Sequence, residues 1–219
     1  AEDVARPAAV NGRGRALDPH EVKILRKVCE YHEKGDWVLT MLESGARPGE
    51  THRMLWCHLK EGSLYIDGTK TANAKRTVPL PEYLSDRLEA RRGRPFEHIF
   101  TKRNGNALTK KSSADAWQSI LKAMQIEAGT RVENGILLEP YAIDNEIKAK
   151  FCRHTYATML KDAMLPYTLL QELLGHATGS ITDNYLHATE TGIQQAARLI
   201  KAHHERTVSH LVSHSNGLK

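Results

Sequence analysis

The 219-residue chain is 40% hydrophobic and 26% charged, a balance that suits one well-cored globular domain, or one domain with tails, and argues against a disordered chain. Lys and Arg number 31 against 26 Asp and Glu, a net +5 that hints at a polyanionic partner without establishing one. Three widely spaced cysteines (Cys29, Cys57, Cys152) argue against a disulfide framework or zinc finger and fit a reducing cytosol; no apolar run approaches the roughly 18 residues of a membrane span, and the opening residues do not read as a signal peptide.

Residues 1–17 (AEDVARPAAVNGRGRAL) lack periodicity and read as a linker or flexible arm. The absence of an initial Met leads to the expectation of a fragment whose preceding domain has been removed. Asp18-Pro19-His20-Glu21 is a helix start, with Asp at the N-cap, Pro at N1 and Glu at N3. Val22, Leu25, Val28 and Cys29 then share one face. Gly35-Asp36 opens a second helix, WVLTMLES, apolar almost all round and so expected to be buried. Gly45 stops it, and Ala46-Arg47-Pro48-Gly49-Glu50 opens the next. An arginine at that start, beside free amides and a helix dipole, suits an anion; a surface pair with Glu50 is the plainer alternative.

Three strand-like runs follow: MLWCHL, SLYID and RTVPL, with Glu61-Gly62 as the first turn and GTKTANAK as a longer polar loop. They predict a small antiparallel sheet whose loop carries Lys70 and Lys75. Pro81 begins a helix closed by Gly93. From Asp86 to Lys111 eight Lys/Arg face three Asp/Glu, which is either an electrostatic footprint for phosphate or a solvated face. His98-Ile99-Phe100 reads as a short extended piece. ALTKKSSADAWQSILKAMQIEAG is a helix with Ala116, Trp117, Ile120, Leu121 and Met124 inward; core packing explains Trp117 more simply than groove binding does. Residues 129–148 read as a loop with a short strand at ILLE.

The segment from Lys150 to Thr189 gathers a phosphate-gripping arginine, histidines and a tyrosine hydroxyl. Phe151, Tyr156, Met159 and Leu160 form the apolar face of a helix with Arg153 and His154 near its start. Pro166 starts the next helix, Gly175 caps it, and His176 follows at a fixed corner. A short helical segment from Thr178 to Leu186 carries Tyr185, and a last amphipathic helix precedes a frayed tail. Taken singly, Tyr185 reads as a core tyrosine, His176 as a capping residue and His154 as a structural hydrogen-bonder. The tail histidines His203, His204, His210 and His214 include an i, i+4 pair, but lack a Glu or Cys companion at zinc-site spacing.

In order, these residues resemble the catalytic domain of the tyrosine recombinases, or phage integrases. SGARPGE resembles the family's first-arginine box, TKTANAKRTVPL its lysine turn and KFCRHTYATML its second-arginine box. LLGHATGSITDNYLHAT resembles the box joining the last histidine to the nucleophile. The likeness runs from about 17 to 200. It implies an α+β, mainly helical fold with a small three-stranded antiparallel sheet, divided as 1–17 arm, 18–200 catalytic domain, and 201–219 helix end and tail.

The resemblance further implies that Tyr185 is the nucleophile, Arg47 and Arg153 the phosphate clamp, Lys70 the general acid, His176 a donor to the phosphate, and Glu50 the support of the first arginine. Lys150 stands where the family most often has histidine; lysine there resembles the related type IB topoisomerases and some integrases, so the base for Tyr185 stays open. Lys75, Arg76, Arg91, Arg92, Lys102, Arg103, Lys110 and Lys111 are the expected DNA contacts. Guanidinium and imidazole groups around a phosphate stabilise a phenolate and the extra transition-state charge in place of metal ions, so neither metal nor ATP is expected.

The implied product is a 3′-phosphotyrosyl link that another strand's 5′-hydroxyl rejoins. The expected partners are a double-stranded recombination site and further copies of the chain in a tetramer, with the C-terminal helix docking on a neighbour and no membrane. The expected setting is a bacterial cytosol, at the nucleoid, and the expected source a phage or mobile element. The alternatives are a topoisomerase that relaxes DNA and a DNA-binding module that has lost cleavage.

Overall fold

The computed structural model describes residues 14–69, 74–175, 194 and 196–202. Helix α1 (Pro19–Tyr31) begins as its sequence predicts. Asp18 accepts from the Glu21 amide while the Glu21 carboxylate accepts from the Asp18 amide, so two otherwise orphaned donors are satisfied. Helix α2 (Gly35–Ser44) is buried along its whole length. It packs against α1, α4 (Glu82–Glu89) and α6 (Phe151–Asp162), and so forms the axis of the core. Its Trp37, Val38, Met41 and Leu42 are essentially inaccessible, which explains the absence of a polar face in its sequence.

The three-stranded antiparallel sheet has the order β1 (Leu59–Lys60), β2 (Ser63–Ile66), β3 (Arg76–Pro79), with Leu64 paired to both Leu59 and Val78. The first strand is shorter than MLWCHL predicts. Trp56–His58 forms a 3₁₀ turn, because the Trp56 and Cys57 amides donate to the carbonyls of Glu97 (3.1 Å) and Pro95 (2.7 Å) instead of to a strand. Helix α3 (Pro48–Thr51) is a single turn. It adds little dipole, and any affinity for an anion there must come from side chains.

Helix α4 ends at Glu89, before Gly93, as the Arg91 and Arg92 amides tighten onto the Leu88 and Glu89 carbonyls. Helix α5 (Lys110–Glu127) is capped by Thr109 and buries Ala116, Trp117, Ile120, Leu121 and Met124 as predicted. The Trp117 indole donates to the Ile147 carbonyl at 2.9 Å, a core bond that removes it from any groove-facing role. Residues 129–148 hold more order than expected: β4 (Val132–Glu133) and β5 (Ile136–Leu137) pair across an Asn134-Gly135 turn.

Helix α7 (Tyr167–Leu174) ends at Gly175 in the left-handed region, the C-cap its sequence predicts. Within 196–202 the chain is helical, with Ala196 and Ile200 buried in the common core. Residues 14–17, expected to belong to a free arm, instead dock. Leu17 is buried, its amide donates to Thr155 Oγ1 (2.9 Å), and Arg15 joins Glu21 (2.6 Å) to Asp144 (2.8 Å) while lying over the Phe151 ring.

Candidate active site

The site is built where the C-terminal end of α2 meets the N-terminal half of α6. Gly45 holds φ +63, a backbone state that costs other residues of order 1–3 kcal/mol, and a Cβ there would lie 2.4 Å from Cδ1 of Tyr156. Close approach of α6 depends on this glycine. It lets Arg153 reach over, donating from Nη1 to the Gly45 carbonyl (2.7 Å) and from Nη2 to the Leu174 carbonyl. Arg153 therefore ties the first-arginine corner to the end of α7.

Two residues beyond Gly45, Arg47 stands at the N-cap of α3 with its side chain about one third exposed. The Glu50 carboxylate accepts from both its amide (2.9 Å) and its Nη1 (2.7 Å). The plain pairing with Glu50 and the role in an anion site are thus compatible. A guanidinium has five N–H donors and Glu50 uses one of those on Arg47, so others stay available on the exposed side.

Arg76, expected among the DNA contacts, is buried on β3. Its Nη1 and Nη2 approach the Glu50 oxygens at 3.4 and 3.0 Å, Nε donates to the Leu173 carbonyl (2.8 Å) and Nη1 to the Ala74 carbonyl (3.0 Å). So enclosed, the guanidinium expected to contact phosphate is instead an internal brace. Strand alternation held the signal: Arg76 and Val78 face inward while Thr77 faces out.

Two guanidinium groups thus grip one carboxylate, and the charge of that carboxylate also acts on Arg153. Burial pushes the Glu50 carboxyl upward, but its hydrogen bond and charge interaction with Arg76, and then its bonds from Arg47, leave it below the ordinary carboxylate range. Burial, and after it the charges of Arg47 and Arg76, hold Arg153 below the usual guanidinium range. The cluster carries more positive charge than Glu50 offsets, which is the electrostatic form of an anion site.

Lys150 is exposed at the N-cap of α6, one turn before Arg153, with its ammonium 5.9 Å from the Phe151 ring centroid. His154 is exposed beside it; partial burial of its ring, with the charges of Lys150 and Arg153, lowers its pKa and favours the neutral form. Lys70, His176 and Tyr185 lie outside the described residues, as does the helical segment expected from Thr178 to Leu186.

The other basic residues separate into two groups. Arg91 pairs with Asp36 (2.9 Å) and lies over the Trp56 and Phe100 rings; Arg92 binds Glu89 and the carbonyls of Trp56 (3.0 Å) and Leu59 (2.8 Å). These two serve the fold through bonds that a phosphate would have to displace. By contrast Lys75, Arg103, Lys110 and Lys111 are exposed, with loose pairings of Lys75 to Asp67 (3.6 Å) and of Arg103 to Glu33 (3.8 Å), and Lys102 is half-buried. Lys110 borders a cleft of about 480 Å³ that Pro48 and residues 145–149 also line, so it shares a cleft with the first-arginine turn.

Among the described residues no cluster of His, Cys, Asp or Glu is arranged to hold a metal ion, and no helix is long and apolar enough to cross a membrane. Cys29 and Cys152 are buried free thiols, pushed upward in pKa mainly by that burial.

Residues 15–191 match the phage integrase family model. The tyrosine recombinase XerA of Thermococcus kodakarensis is 28% identical over 213 residues, covering 92% of this chain and 68% of that protein. XerA of Pyrococcus furiosus is 26% identical over 208 residues, covering 90% and 65%. The chain thus spans about two thirds of the length of these relatives.

Among solved structures, the Tn1549 transposon integrase in complex with circular intermediate DNA superposes with a TM-score of 0.58 at 19% identity, over 84% of this chain and 66% of that one. The XerA recombinase crystal structure gives 0.57 at 16%, over 89% and 65%. At such identities these likenesses establish the fold, whereas the family match spans most of the sequence. The chain belongs to the phage integrase family and is a tyrosine recombinase catalytic domain, of the enzymes of site-specific DNA recombination.

Proposed function

We propose that this domain cleaves and rejoins duplex DNA at a specific site through a 3′-phosphotyrosyl intermediate, with Tyr185 as nucleophile. The observation that carries the proposal is the convergence of Arg47 and Arg153, from distant parts of the chain, on the corner 45–50, in a cluster short of negative charge. Two such forks match the non-bridging oxygens of a phosphodiester and gain strength as charge accumulates on them. Each is expected to contribute about 2.7–4 kcal/mol to the transition state, by analogy with an oxyanion donor.

In this reading Tyr185 attacks phosphorus, His176 donates to a phosphate oxygen, and Lys70 protonates the departing 5′-oxygen. The phosphotyrosyl bond conserves the energy of the broken link, so the 5′-hydroxyl of another strand reverses the step without ATP. Lys150, one turn from Arg153, orients a phosphate oxygen or assists proton transfer. Exposed Lys110, Lys111 and Arg103 contact the flanking backbone. A tetramer on two recombination sites, with the C-terminal helix of one copy held by the next, is the assembly this chemistry calls for, and a mobile element or phage is the fitting source.

A nicked duplex bearing the site, taken from DNA flanking the coding region, tests the proposal. It should trap a covalent protein–DNA adduct in the native chain and none in Tyr185→Phe. Absence of an adduct on all flanking sites would sink the cleavage reading and leave the DNA-binding module. Lys150 favours a topoisomerase as second reading, and strand exchange between two site-bearing duplexes, against plasmid relaxation alone, separates the two enzymes.

A further inference from the structure

We propose that Arg76 is a positioning residue that locks three separate parts of the active site into one register. The proposal deepens the recombinase reading of Arg47 and rests on it. Arg76 has four hydrogen bonds leading to three places: to Glu50 through Nη1 and Nη2 (3.4 and 3.0 Å), to the Ala74 carbonyl (3.0 Å), and to the Leu173 carbonyl (2.8 Å). Each place is close in the sequence to a different residue that the recombinase reading uses. Glu50 holds Arg47 by its amide and its guanidinium. Ala74 follows Lys70 by four residues in the sequence and precedes β3 by two. Leu173 is in the last turn of α7, three residues before His176 and next to Leu174, whose carbonyl Arg153 engages.

Only a planar, five-donor group can do this. A guanidinium projects Nε, Nη1 and Nη2 in three fixed directions, and all three are used here. A lysine ammonium radiates three donors from a single atom and cannot span the same acceptors. Arg76 is almost wholly enclosed, being 6% exposed, so its influence on the reaction passes through the groups it holds. A purely structural bolt would appear in stability and leave the chemistry of properly folded molecules unchanged. A positioning residue slows the chemical step in molecules that fold and bind DNA normally.

The test uses the full chain with Arg76→Lys, and Arg76→Gln should the lysine variant not fold. At saturating nicked duplex, single-turnover cleavage is expected to fall about 10²-fold, while DNA affinity changes by no more than about threefold. A substrate with sulfur in place of the bridging 5′-oxygen leaves as a thiolate without protonation, so part of the loss should be recovered on it. Amide hydrogen exchange supplies a readout independent of cleavage: residues 67–69, 74–75 and 172–175 should exchange faster than in the native chain, with α1 and α5 unchanged. Cleavage that falls only in step with DNA affinity, or unchanged exchange in 67–69 and 74–75 or in 172–175, overturns the proposal. Failure of the native chain to form an adduct would instead overturn the recombinase reading, and the exchange comparison would still decide the place of Arg76.

Discussion

Arg76 and Glu50 form a buried ion pair, with the guanidinium nitrogens 3.0 and 3.4 Å from the two carboxylate oxygens and both side chains almost fully enclosed. The same carboxylate holds the partly exposed Arg47, so a buried pair sets the direction of a side chain at the surface. Breaking such a pair from one side leaves an uncompensated charge in the core, at a cost of about 3–5 kcal/mol. Glu50→Gln should lose stability of that order in urea unfolding at pH 7. A loss near zero would show that Arg76 finds other partners.

The pair also predicts an acid dependence. Glu50 is held below its ordinary value of 4.5, since the contacts with Arg76 and Arg47 outweigh the upward push of burial. A carboxyl lowered by folding adds stability that is fully present above its unfolded pKa and lost as pH falls through the folded one. Native stability should decline below pH 4.5 as Glu50 protonates, and Glu50→Gln should decline less steeply over that window. Parallel stability–pH curves for the two proteins would contradict the assignment.

Gly45→Ala should be costly for two reasons. Its φ of +63 disfavours a side chain, and the added methyl would fall 2.4 Å from the Tyr156 ring. Strain and overpacking together predict about 2–4 kcal/mol of destabilisation, read from thermal unfolding. Because the Gly45 carbonyl accepts from Arg153, molecules that remain folded should cleave more slowly than their stability alone accounts for.

The division of the basic residues predicts different responses to salt. Lys110→Ala with Lys111→Ala removes exposed charge, that of Lys110 bordering the cleft. The slope of log affinity against log salt should become shallower by about 0.9 for each phosphate that the variant no longer neutralises. Arg91→Ala instead removes a side chain bound to Asp36, Trp56 and Phe100. Its effect should be on unfolding, with the slope kept. The reverse pattern, measured by DNA binding between low and moderate salt, would exchange the two roles.

Lys150 faces solvent one turn before Arg153. If it takes part in proton transfer or phosphate orientation, Lys150→Ala should slow cleavage about 10²–10⁴-fold, and Lys150→His should recover activity with a pH profile breaking near 6.5. Native rates in Lys150→Ala would remove it from the catalytic set.

Local signals carried much of the architecture. Asp18, Pro19 and Glu21 announced the start of α1 because capping is satisfied within four residues, and Gly175 announced the end of α7 because the left-handed cap is a backbone preference. The inward face of α5 was legible because one buried stripe repeats at the helical period. MLWCHL misled as a strand since its amides are taken by the carbonyls of Pro95 and Glu97, about 40 residues later. The docking of 14–17 hangs on Thr155 and Asp144, which lie farther still along the chain.

The amino-acid sequence by itself therefore determined the family, the order of its boxes and the helices that begin or end beside them, because those depend on neighbours in the chain. Tertiary structure alone decided what each arginine does. Arg47, Arg76, Arg91 and Arg153 carry the same charge in the sequence. Burial and the acceptors brought by distant segments make Arg76 a brace and Arg91 a packing group, hold Arg47 on Glu50, and bring Arg153 to the Gly45 carbonyl two residues before Arg47. The energy of a guanidinium is set by which acceptors replace its lost water, and folding chooses those acceptors.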